Sequence, residues 1–209
     1  MLVDAAPVIV KRLGRVEYAP TVEAMRTFTA RRTADTADEL WLLEHPPVYT
    51  LGVGADLSHG PRAANGIPVV ACERGGEITY HGPGQAVLYT LVDLARRRIK
   101  VREFVSLLEQ SVIELLAGHG VAGERRRGAP GVYVRGAKIA ALGLRVSRGR
   151  AYHGLALNVD MDLSPFAAID PCGFPDLAVT QARDLGIRGP ALELGGRVAE
   201  ILAEKLGDA

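Results

Sequence analysis

"PGVYVRGAKIAALGLRVSRGRAYHGLALNVDMDL", residues 130–163, reads as three strands with turns at Arg135-Gly136 and Ser147–Arg150. Ala140, Ala141, Gly143, Gly154 and Ala156 sit on these strands, where β-branched residues are the usual choice. Small side chains on a sheet leave a trough. The trough either takes an apolar ligand or lets a helix pack close. Lys138 lies inside "GAKIAALG" with apolar neighbours. A lysine there is a solvated strand residue, a snorkelling one, or a buried amine whose lowered pKa suits proton transfer.

Moving upstream, "RGGEITYHGPGQAVLYTLVDL" (74–94) reads as strand, Gly-Pro-Gly turn, strand. Its glycines fit either hairpin geometry or the close approach of a ligand to backbone. It is not a P-loop, and no G-x-G-x-x-G stands between a strand and a helix. "IPVVACE" (67–73), "PPVYTLG" (46–52), "ELWLLEH" (39–45) and "PVIVKRL" (7–13) read as further extended pieces. Residues 53–66 read as a loop and 20–34 as helical. The clearest helix is 101–117, with Val101, Phe104, Val105, Leu108, Val112, Leu115 and Leu116 on one face. A last helix covers about 190–206, weakened by Gly195 and Gly196. With no repeat or linker in the sequence, the expectation is one α+β domain over residues 1–209: a mixed or antiparallel sheet flanked by helices.

Downstream, "IDPCGFPD" (169–176) holds Cys172 between two prolines with Gly173 behind it. Pro171 and Pro175 keep the segment out of a helix, so it is a tight loop. Cys172 is then either a small buried hydrophobe or a presented thiol. Cys72, within "PVVACE", reads as core packing. Two cysteines in 209 residues are too few for a disulfide framework or a four-thiolate zinc site. None of the five histidines stands in a metal-binding spacing, so no metal is expected. A net charge of +1 gives no bulk drive towards nucleic acid. Two basic clusters, 96–102 and 125–127, are solvated faces or docking points for an acidic partner. The N-terminal residues lack the pattern of a signal peptide, and no stretch is apolar for long enough to span a bilayer. A cytoplasmic location without membrane contact is the default.

Taken in order, "LLEHPPVYTLG" (42–52), "RGGEITYHGPGQ" (74–85), "GVYVRGAKIAALGLRV" (131–146), "HGLALNVDMDLSPF" (153–166), "DPCG" (170–173) and "VT" (179–180) resemble the lipoyl(octanoyl) transferases of lipoate biosynthesis. The resemblance implies the catalytic-domain fold of biotin and lipoate protein ligases. It implies an acyltransferase moving octanoyl from acyl carrier protein to a lysine of lipoyl-accepting domains. Those acceptors would be the lipoyl domains of 2-oxoacid dehydrogenase complexes and the glycine cleavage H protein. Cys172 matches the family's acyl-accepting nucleophile and Lys138 its activating lysine. Arg74, Gly75, Gly76, Glu77, Ile78, Thr79, Tyr80 and His81 match one substrate-binding segment. Ala141, Leu142 and Gly143, with Gly154, Leu155 and Ala156, match two more. Burying an eight-carbon acyl chain in the trough would contribute roughly 5–6 kcal/mol. Gln181 departs from the pattern, which has a small hydroxyl residue after "VT". No cofactor is implied, because the donor thioester is already activated. An ATP-dependent lipoate or biotin ligase on the same fold, needing no cysteine nucleophile, is the alternative. A non-catalytic adaptor that binds acyl carrier protein is a further one.

Overall fold

The computed structural model describes residues 7–55, 61, 66–169 and 177–207. Its largest element is a seven-stranded sheet. In chain order the strands are β1 (Val8–Arg15), β2 (Asp38–Glu44), β6 (Gln85–Asp93), β7 (Glu124–Arg125), β8 (Gly131–Val134), β9 (Ala137–Ser147) and β10 (Arg150–Asn158). In space they run β1-β2-β6-β10-β9-β8-β7, with β1 and β2 parallel and the other pairs antiparallel. A second, three-stranded sheet joins β3 (Val48–Leu51), β4 (Val69–Ala71) and β5 (Ile78–His81) in the order β4-β3-β5. The expected mixed sheet with flanking helices is therefore present.

The opening stretch folds as read. At both turns the two central residues have positive φ: Arg135 and Gly136 at 50° and 84°, Arg148 and Gly149 at 51° and 77°. That is the two-residue turn whose twist matches antiparallel strands. The reading of 74–94 as a hairpin is corrected. Its strands β5 and β6 sit in different sheets, β5 on β3 and β6 between β2 and β10. The Gly82-Pro83-Gly84 turn carries the chain across. Gly84 N–H donates to Glu44 Oε2 at 2.9 Å, and its carbonyl accepts from the N–H groups of Val159 and Asp160. These long-range bonds override the local hairpin signal.

Alternation along the central strands divides the core in two. Leu40, Leu42, Ala86 and Leu88 face α3 (Val101–Gly118) and α4 (Ala191–Gly207). Trp41, Leu43, Val87 and Tyr89 face α1 (Tyr18–Arg31) on the opposite side. A sheet covered on both faces explains why β2 and β6 are apolar almost throughout. The two glycines that weaken α4 as a sequence reading mark close packing. A methyl group on Gly195 would lie 2.6 Å from Leu42 Cδ1 and 2.7 Å from Ala86 Cβ. In α3 the expected apolar face holds from Phe104 to Leu116, but Val101 is 46% exposed and Val105 is half-buried. These two residues, one turn apart, stand at the margin of the stripe, beyond the sheet.

One basic cluster is also corrected. Arg96 and Arg97, on the short helix α2 (Leu94–Arg97), turn inward with Arg32 onto the fully buried Asp38. Arg96 Nη2 lies 2.8 Å and Arg97 Nε 2.6 Å from the carboxylate, which also accepts from Asp93 N–H. Burial alone would raise the Asp38 pKa, but the Asp93 N–H and the guanidinium groups outweigh it and hold the carboxyl below its usual range. Only Arg98, Lys100 and Arg102 of that run remain exposed.

Candidate active site

Between the two sheets lies a cavity of about 740 Å³ including its mouth. Its floor comes from the small residues of the opening stretch. Gly143 lies opposite Gly154 and Ala141 opposite Ala156 across the β9–β10 ladder. All four border the cavity, together with Leu142 and Leu155. Ala140, grouped with them in the sequence, belongs to the other face and packs in the α3–α4 core, as the two-residue period of a strand requires.

The opposing wall is the glycine-rich segment. Arg74, Gly76, Glu77, Ile78, Thr79 and His81 line the cavity. Gly75 and Tyr80 do not. Gly75 N–H donates to Leu144 O at 2.8 Å, docking the segment onto β9. Tyr80 points into a separate aromatic cluster with Tyr49 and Phe166. Arg74 is only 8% exposed, and its guanidinium donates to Thr50 O, Thr50 Oγ1, Gly75 O and Glu77 O. It clamps the segment to β3 and places a positive charge beside the cavity.

Lys138 is 3% exposed and lines the same cavity. Its ammonium donates to Pro130 O at 3.1 Å and lies 5.2 Å from the centre of the Tyr133 ring. Its backbone pairs with a segment distant in sequence. Lys138 N–H donates to Ala178 O at 2.8 Å, and Thr180 N–H donates to Lys138 O at 3.0 Å, making a parallel bridge to Val179. Cys172 lies outside the described residues. Ala178, tied to Lys138, follows it by six positions.

A chain of amides links Thr180 back to the cavity. Asn158 Nδ2 donates to Thr180 O at 3.0 Å, and Asn158 Oδ1 accepts from Gln85 Nε2 at 2.9 Å. Gln85 Nε2 also reaches Tyr80 O, so Gln85 Oε1 is the acceptor facing His81 Nδ1 at 2.7 Å. His81 thus carries its proton on Nδ1 and keeps an Nε2 lone pair. Gln181, the departure from the family pattern, works outside the cavity. Its Oε1 accepts from Met161 N–H at 2.7 Å, and its Nε2 faces Asp184.

Sequence reasoning missed an aromatic and histidine group on the cavity wall: Tyr18, Tyr89 and His153, with His45 behind them. His45 Nδ1–H donates to Val16 O and its Nε2 accepts from Tyr89 O–H, both at 2.7 Å. Burial, reinforced by neighbouring His45, drives the His81 pKa down to about 3. Burial and the Arg74 charge bring His153 to about 4, and burial lowers His45 as well. Burial raises the Tyr18 and Tyr89 hydroxyls. At neutral pH these imidazoles and phenols are all uncharged. The group comes from α1, the residue after β2, β6 and β10, and only the fold brings those pieces together. His153 has φ of +62°, a left-handed backbone uncommon outside glycine, and no pattern in the sequence announces it.

Cys72 is half-buried, its thiol donating to Leu51 O at 3.3 Å within the α1-side core, in keeping with a packing role. Among the described residues no group of three or more His, Cys, Asp or Glu side chains is placed to hold a metal ion, and no helix is long and apolar enough to cross a membrane.

Residues 17–193 match the lipoyl protein ligase A/B catalytic domain. The chain is 66% identical over 179 residues to an octanoyltransferase of Thiobacillus denitrificans, covering 86% of this chain and 82% of that one. It is 59% identical over 200 residues to an octanoyltransferase of Dechloromonas aromatica, covering 96% and 97%. Among solved structures it superposes on a lipoate-protein ligase A bound with ATP at a TM-score of 0.71 and 13% identity, over 97% of this chain and 94% of that one. The biotin protein ligase of Aquifex aeolicus gives 0.54 at 11% identity, over 96% and 68%. With a buried lysine beside an apolar-floored cavity, and with relatives of this identity over nearly its whole length, the chain belongs to the lipoyl protein ligase A/B catalytic domain family, among its octanoyltransferases.

Proposed function

We propose that the protein transfers an octanoyl group from acyl carrier protein to a lysine of a lipoyl-accepting domain through a thioester on Cys172, in the cytoplasm. The observation that carries this reading is Lys138. Its ammonium is buried at the edge of an apolar cavity, and its backbone is hydrogen-bonded to the segment that follows Cys172. Two rigid attachments to one residue are what proximity catalysis needs.

In its deprotonated form Lys138 takes the Cys172 proton and becomes the ammonium beside the thiolate. The thiolate attacks the carrier-protein thioester. A new C–S bond forms, the bond to the phosphopantetheine sulfur breaks, and that sulfur leaves with the proton held on Lys138. The octanoyl chain lies over Ala141, Gly143, Gly154 and Ala156, and the neutral histidines and tyrosines present it no charge. The acceptor lysine, as a free amine, then attacks the Cys172 thioester. The C–N bond forms, the C–S bond breaks, and the amine's proton passes through Lys138 to the departing Cys172 sulfur, which restores the thiol and the free amine. Thioester exchange conserves acyl-transfer potential and the final amide is downhill, so the reading needs neither ATP nor a metal. Acceptors of this chemistry are the lipoyl domains of 2-oxoacid dehydrogenase complexes and the glycine cleavage H protein.

Intact mass after mixing with octanoyl carrier protein tests the route. The wild type should gain one octanoyl group, Cys172→Ser should gain none, and Lys138→Ala should gain it slowly. A wild type that turns over with no acyl adduct, or that turns over only with ATP, would remove the covalent route and favour the ligase alternative.

A further inference from the structure

A second groove opens from the acyl cavity. Val101 and Val105 of α3, the Gly128-Ala129-Pro130 turn and Leu144 of β9 line it. It shares Gly76, Glu77, Leu142 and Gly143 with the first cavity, so those residues form a wall common to both. The Lys138 ammonium sits at the junction: it lines the acyl cavity and donates to Pro130 O, in the wall of the groove.

Basic residues adjoin the groove's lining along the chain. Lys100 and Arg102 flank Val101, Arg126 and Arg127 precede Gly128, and all four are exposed. The nearby acids are Glu103, which accepts from Lys100 N–H, and Glu77 in the common wall, whose Oε2 is buried without a hydrogen-bond partner. Val101 and Val105 of α3 stand outside the packed core, and both line the groove. An apolar trench with a cationic end, starting at the reacting lysine and leading away from the acyl cavity, has the chemistry of a neutral, flexible thiol arm that ends in a phosphate.

We infer that this groove seats the phosphopantetheine arm of the acyl donor. The thioester carbon lies at Lys138, the octanoyl chain runs one way and the arm the other. The amides of the arm pass Glu77 and the 128–130 turn, and its phosphate meets Lys100, Arg102, Arg126 and Arg127. The inference rests on the donor being an acyl carrier protein. Charge supports it, since an anionic carrier matches the cationic rim.

The test fills the groove from α3 with Val105→Trp and, at an exposed position that folding tolerates, with Val101→Trp. Single-turnover acylation is followed by intact mass with two donors, octanoyl carrier protein and the octanoyl thioester of N-acetylcysteamine, which has no phosphate and little arm. Each variant should slow acylation by the carrier protein at least about tenfold more than acylation by the short thioester. Equal slowing with both donors would overturn the inference. So would slowing confined to transfer onto the acceptor domain, which would give the groove to the acceptor. A wild type acylated by the short thioester but never by carrier protein would overturn the donor reading, and this inference with it.

Discussion

Replacing Ala141 by Leu tests whether the small-residue floor is the acyl seat. Ala141 lies opposite Ala156 on the β9–β10 ladder, borders the cavity and is half-buried, so its methyl faces empty space and not packed core. Leucine adds three carbon atoms to that space. If each displaces one methylene of the substrate from its contact, at about 0.8 kcal/mol per buried CH₂, the octanoyl donor loses about 2.4 kcal/mol. That is roughly a fifty-fold fall in kcat/KM for acyl transfer, since about 1.4 kcal/mol is tenfold. A butanoyl donor is too short to compete with the new side chain along the whole floor and should lose far less. The assay compares kcat/KM for butanoyl, hexanoyl, octanoyl and decanoyl carrier proteins on wild type and Ala141→Leu, with thermal unfolding as a check of the fold. The reasoning predicts a penalty that grows with chain length. An equal loss for every length would mean that the substitution disturbs Lys138, three residues along the strand, and not the seat. No loss at all would place the acyl chain elsewhere.

Acid should destabilise the protein through its buried imidazoles. The folded-state pKa values of His81 and His153, about 3 and about 4, lie below the value of about 6.5 expected in the unfolded chain. Their contribution is therefore complete above pH 6.5 and is lost as pH falls towards the folded values, by about 3 kcal/mol for the pair at pH 5.5. Urea midpoints at pH 7 and 5.5 measure the loss. His153→Asn, which tolerates the positive φ, should reduce it by about 1.4 kcal/mol, and an unchanged difference would refute the assignment. Asn158→Ala removes the amide between Gln85 and Thr180 and leaves both without that partner. It should cost about 2 kcal/mol of stability and slow acyl-enzyme formation at least about tenfold, because the strand segment paired with Lys138 loses its anchor. An Ala variant that acylates at the wild-type rate would show that this network only stabilises the fold.

The strands and turns of 130–163 are legible because their signals are local: period-two alternation and Arg-Gly turns that only one backbone conformation satisfies. The helix at 101–117 is legible for the same reason at period 3.6. The expected hairpin at 74–94 failed because no local pattern tells which sheet a strand joins. Gly84's bonds to Glu44, Val159 and Asp160 decide that, and those residues lie 40 and 75 or more positions away. The site divides in the same manner. Lys138 and the small floor residues stand out as chemical oddities on strands, a charge among apolar neighbours and glycines where β-branched residues belong. Tyr18, His45, Tyr89 and Asn158 are ordinary in their local context, and only the sheet order β2-β6-β10 makes them neighbours. Arg96 and Arg97 read as surface charge because the carboxylate that takes them inside, Asp38, is nearly sixty residues upstream.

The placement of charge in the cavity follows from these two kinds of residue. Tyr18, His81, Tyr89, His153 and Asn158 are polar, yet none is ionised at neutral pH, while Lys138, Arg74 and Glu77 are the acidic and basic residues of the lining. The Arg74 donors are taken up by backbone and Thr50. Burial first, and the Arg74 charge second, keep the His153 imidazole from protonating. On the proposed function, a saturated acyl chain would enter without displacing a charged group's partner and would meet Lys138 only at its carbonyl. An acyl donor bearing a terminal carboxylate would have to bury that charge among neutral rings, at a cost of several kcal/mol. On the proposed function, the arrangement would select an uncharged chain by exclusion, and length by the area of floor it can cover.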